Sequence, residues 1–116
     1  MERDVIGAWS WTYIEGVGRI ILAADHTVRK GFPPDDKDGT KISDEEFEIV
    51  QAGTWRVEGD ILITEMDNKP LIEMLQRLTP SEVPPFEKDT KRQRIVSIDD
   101  KRMVFEDGST LGHVHR

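Results

Sequence analysis

The stretch EFEIVQAGTWRVE at residues 46–58 decides the fold class of this chain. Phe47, Ile49, Trp55 and Val57 share one parity, with Gln51 and Gly53 between them. Glu46, Glu48, Thr54, Arg56 and Glu58 hold the other. A repeat of two marks a strand with one dry and one wet face, because successive side chains of an extended chain point to opposite sides. Gly53 predicts a bend or bulge within it. Gly59-Asp60 follows, with glycine first, as a type II′ hairpin turn favours. A two-residue loop sets Val57 opposite Leu62 and Trp55 opposite Thr64, and the partner strand covers 61–66.

The same alternation extends outward in both directions. Upstream, Val5, Trp9, Trp11 and Tyr13 form one side and Ser10 and Thr12 the other. Glu15-Gly16 turns the chain into a strand over 17–24, where Ile20 and Leu22 are dry and Arg19 is wet. Asp25-His26 is a second turn and 27–32 a third strand. Residues 33–43 form a polar loop. Downstream, 92–98, 101–106 and 109–114 make a meander, with turns at Asp99-Asp100 and Asp107-Gly108. Seven or eight short strands at this spacing predict an all-β, antiparallel up-and-down barrel. Between them, 68–86 is ambiguous. Pro70 with Leu71, Leu75 and Leu78 on one face favours a short helix over an edge strand, and Thr79-Pro80 and Pro84-Pro85 then keep the chain extended.

The chain has 116 residues, 36% apolar and 34% charged, which fits a single domain over 1–116. It has no cysteine, which excludes disulfides, thiolate metal sites and cysteine nucleophiles and suits a reducing cytoplasm. No basic segment precedes an apolar run at the start, so no signal peptide is predicted. The longest apolar run, 20–24, is too short to cross a bilayer. A net charge of −7 argues against nucleic acid and anionic membranes as partners. Lys88, Lys91, Arg92 and Arg94 do cluster, but acidic residues flank them.

Gly7-Ala8-Trp9 on the first strand, Gly53-Thr54-Trp55 before a Gly-Asp turn, and a late Asp107-Gly108 hairpin leading to Arg116 resemble the lipocalin/calycin barrels. The likeness is nearest to small bacterial lipocalin-like domains. That resemblance implies a barrel plugged at one end by Trp9, with Arg116 as the arginine that packs over it. The chain is shorter than a full lipocalin and shows no long C-terminal helix.

Trp9, Trp11, Tyr13 and Trp55 read first as core, since eight-stranded barrels can be filled by side chains alone, and second as an aromatic pocket. A two-residue Asp99-Asp100 loop sets Val96 opposite Met103 and Arg94 opposite Phe105. Arg94 then points inward, where a charge needs a partner: a carboxylate, a ligand or solvent at the barrel mouth. His113 and His115 share a face, which is wet for a two-residue Asp107-Gly108 loop and dry for a three-residue one. Two histidines do not complete a metal site, and Pro34 spoils the calcium-loop pattern formed by Asp36, Asp38, Gly39 and Glu45. No metal or other cofactor is expected.

No nucleophile elbow, zinc-protease or phosphate-loop motif occurs, so no catalytic residue is assigned and no enzyme is expected. The expected function is binding of a small apolar or amphiphilic ligand by Trp11, Tyr13, Trp55, Arg94, Phe105 and His113. The alternative is a filled barrel serving as a protein-interaction or inhibitor module, or as a homodimer. For that reading the surface is Val83 and Phe86 among prolines, and the tryptophan-rich first strand resembles that of barrel-type bacterial protease inhibitors.

Overall fold

A computed structural model describes residues 2–13, 16–34 and 37–114. Its eight strands are β1 (Gly7–Tyr13), β2 (Gly16–Leu22), β3 (Thr27–Phe32), β4 (Glu48–Glu58), β5 (Ile61–Asp67), β6 (Lys88–Ile98), β7 (Arg102–Phe105) and β8 (Thr110–His113). Each pairs antiparallel with the next, and β8 returns to β1 through Trp9 opposite His113 and Ser10 opposite Gly112. The result is a closed up-and-down barrel, a topology compatible with a calycin-like fold. Closure gives every strand a neighbour on both sides, although the start of β6 (88–93) runs past its ladder with β7 and the end of β1 (11–13) past its ladder with β8. The β4–β5 register is the one the Gly59-Asp60 turn dictates, with Val57 opposite Leu62 and Trp55 opposite Thr64.

One end is shut. A single helical turn, α1 (Glu2–Val5), lies beneath the barrel, so Val5 belongs to this turn and not to the first strand. Trp9 is wholly buried, and its indole Nε1 donates to the Val5 carbonyl at 2.8 Å. Burying an indole without a partner for its N–H is costly, and this bond removes the cost. Trp55 repeats the device: its Nε1 donates to the Ala23 carbonyl at 2.9 Å. His26 packs on the Trp55 ring at 4.9 Å and hydrogen-bonds Glu2 of α1. Around these two indoles, Leu22, Val28, Ile95 and Met103 complete the core. Arg116 and His115 lie outside the described residues, as does Glu15 of the first expected turn.

The outer face is less wet than the alternation implies. Arg19 faces outward opposite Ser10, yet it is only 4% exposed. The long β3–β4 connection covers it: Asp44 pairs with its guanidinium, the Gly39 carbonyl accepts from it at 3.4 Å, and the Phe47 ring lies 4.4 Å beneath it. Phe47 and Ile49 therefore do not share the dry face of Trp55. Lys30 faces Gln51 but Gly31 faces Ile49, so Val50 is an extra residue that flips the strand before it. The bulge expected at Gly53 sits three residues earlier. Gly53 serves another purpose, since a Cβ there would lie 1.8 Å from the Glu65 carbonyl oxygen.

The ambiguous segment is helical: α2 (Lys69–Leu78), with Pro70 in its first turn, packs against β4. Leu78 is 72% exposed and does not join Leu71 and Leu75, which are half-buried. Buried Asn68 anchors the excursion. Its amide donates to the Pro85 carbonyl at 3.0 Å and its oxygen accepts from the Glu87 N–H at 2.8 Å.

Four aspartates fix turns in the same way. Asp25, Asp38 and Asp107 each accept from the hydroxyl and backbone N–H of the residue two ahead, and Asp99 accepts from the Lys101 and Arg102 N–H groups. These bonds favour the ionised form and hold all four carboxyls below their ordinary value of 3.8. A lowered folded pKa contributes stability that is complete above the unfolded value and lost as pH falls through the folded one. The urea midpoint is therefore expected to hold steady between about pH 7 and pH 5 and to drop below about pH 4. Asparagine at all four positions should flatten that acid limb; an unchanged limb would show that other carboxylates cause it.

Candidate functional site

Among the described residues, the end opposite α1 is open. There, between the β7–β8 turn and the start of β6, lies a cavity of about 300 Å³, at the small end of the range for small-molecule sites. Its apolar wall is made by Trp11, Ile20, Leu62, Met66, Phe105 and Leu111. Strand alternation accounts for each of them. Trp11 follows Trp9 by two on β1, Leu62 and Met66 share the dry face of β5, and Leu111 meets Met103 across β7–β8. Gly18 faces Trp11, and a Cβ there would lie 2.3 Å from the indole ring. Glycine thus lets the indole lie flat against β2. Phe32 holds it from the side, edge-on at 5.6 Å, and meets Tyr13 the same way at 5.3 Å.

The polar lining is concentrated. Thr64, Gln93 and the turn residues Asp107, Ser109 and Thr110 contribute, but the charge comes mainly from Lys30 of β3 and Lys91 of β6. Lys30 lies between Ile20 on β2 and Gln51 on β4, so its parity is that of the interior. Its ammonium sits 5.0 Å over the Trp11 ring, a cation–π contact. Burial lowers the Lys30 pKa below its ordinary value of 10.5; the Lys91 charge lowers it further and Asp89 opposes the shift. The Asp107 carboxylate, the acidic group of the lining, is turned toward its own Ser109.

Only part of the expected site converges here. Trp11 and Phe105 line the cavity, and Tyr13 stands beside it against Phe32. Trp55 is core at the shut end. His113 does face inward, because the β7–β8 loop has three residues, Phe105 pairing with Ser109. It packs edge-on against Trp9 at 4.8 Å, however, away from the cavity.

Arg94 is the correction. It is 52% exposed on the outer face, near Asp60 at 3.5 Å and Glu106 at 3.7 Å. The turn after β6 is centred one residue later than expected, with Ile98 opposite Met103, and Val96 bulges out of the ladder so that Ile95 faces Phe105. The bulge turns Ile95 inward and Arg94 outward, and it carries Gln93 and Lys91 inward with Ile95. Comparison with protein-family models, curated proteins and solved structures finds no match.

Among the described residues, no group of three or more His, Asp or Glu could hold a metal ion, and no helix is long and apolar enough to cross a membrane. The arrangement is suited to holding an apolar body against the indole, with a polar group near the two amines.

A lysine whose folded pKa lies below its unfolded value costs stability while it is charged. That cost fades as pH rises from the folded value toward 10.5. Lys30→Met is accordingly expected to be more stable than the native chain at neutral pH, with the gap narrowing as pH climbs toward 10.5. Equal or lower stability of the variant at pH 7, in urea unfolding, would mean that the ammonium is not held against an apolar wall.

Proposed function

We propose that this chain is a lipocalin-like binding protein for a small apolar or amphiphilic molecule, taken into the open end of the barrel against Trp11. The observation that carries the reading is the cavity beside Trp11: one end of the interior is filled and sealed by Trp9 and α1, while the other retains about 300 Å³ walled mostly by apolar side chains. Apolar surface left in a concave, largely preformed site is what a small ligand buries on binding. The up-and-down closure and the tryptophan plug support the lipocalin-like part of the reading.

The three tryptophans make the test selective, because Trp9 and Trp55 belong to the sealed end and Trp11 alone lines the cavity. A bromine-labelled medium-chain alcohol should quench tryptophan emission in a saturable way. Trp11→Phe should abolish most of that quenching, and Arg94→Ala, a change on the outer face, should leave it intact. Absence of saturable quenching across a panel of such probes would remove the reading.

A further inference from the structure

Two lysines of the cavity bear on what the ligand carries at its polar end. Lys30 and Lys91 come from strands separated by β4 and β5, yet both side chains reach one cavity. Neither forms a close ion pair with a carboxylate of the described residues; Asp89, two before Lys91 on the same face of β6, offsets part of the charge at Lys30, and Lys91 acts in turn on Asp107. The one acidic side chain in the lining, Asp107, has an oxygen occupied by the Ser109 N–H and hydroxyl. In a chain of net charge −7, two cations are thus placed together at an apolar wall, against their mutual repulsion.

Resting on the binding reading above, we infer that Lys30 and Lys91 form a subsite for an anionic head group, so that the ligand is a small acidic amphiphile whose tail lies against Trp11, Leu62 and Phe105. An anion between the two ammonium groups would relieve their repulsion and replace water that the half-buried Lys30 holds poorly. Thr64, opposite Lys91 on β5, and Gln93 add neutral hydrogen-bonding groups beside them. Carboxylate and phosphate share the chemistry that two lysines recognise.

The test titrates the full chain with decanoate, decyl phosphate and decanol, which share one tail, and follows binding by calorimetry. Both anions, or the preferred one, are expected to bind at least about tenfold more tightly than the alcohol, the effect of one charge-assisted contact. The tighter anion names the head group. The double variant Lys30→Met with Lys91→Met should lose that preference while still binding decanol. Lys30→Arg with Lys91→Arg should keep it, and circular dichroism of each variant should match the native chain. Equal affinity for all three probes, or a preference that survives in the double methionine variant, would overturn the subsite and leave the cavity reading standing. Failure of all three to bind would overturn both.

Discussion

Strand β1 has two neighbours, and the short ladder on its far side, where Trp9 faces His113 and Ser10 faces Gly112, turns an eight-stranded sheet into a barrel. Everything placed inside depends on that ladder. Alternation alone gives each hairpin a dry face, but only closure brings the dry faces of β1, β3, β6 and β8 around one space. Closure also explains why so modest a core is adequate. Two indoles with satisfied N–H groups, a helical turn beneath them and a ring of aliphatic side chains fill one end.

Local pattern reads well wherever the turn fixes the register. The Gly59-Asp60 hairpin, the dry faces of β1, β2 and β5 and the start of α2 beside Pro70 follow from spacing and turn chemistry, while the β7–β8 loop left two registers open. Bulges defeat the same reasoning, because one extra residue inverts every side chain beyond it. Val50 moves Phe47 and Ile49 to the outer face, and Val96 moves Arg94 out and Lys91 in. Neither valine is distinguishable from a regular strand residue by type. Lys30 was overlooked, although its spacing of two from Val28 on a short strand was a signal that could have found it. Burial of Arg19 was not legible, because it depends on a connection that folds back over β2, and nothing local to Arg19 announces that cover.

The open end combines features that a protein selected for stability alone would avoid. A glycine gives up side-chain packing so that an indole can lie flat, and a lysine is held against that indole with its charge partly desolvated. Burying a charge without a partner carries a free-energy cost, and local departures of this kind concentrate at sites of function. At the sealed end both indole N–H groups are paired and the rings are packed. The contrast between the two ends, more than any single residue, is what the proposed binding site rests on.

The closed interior is tested most directly by nuclear Overhauser contacts across the β1–β8 seam. Contacts between the Ser10 and Gly112 backbones and between the Trp9 and His113 rings, whose centroids are 4.8 Å apart, are the predicted result. Their absence, with the β1 and β8 amides exchanging as rapidly as those of an exposed edge, would describe an open sheet. The interior beside Trp11 would then not exist.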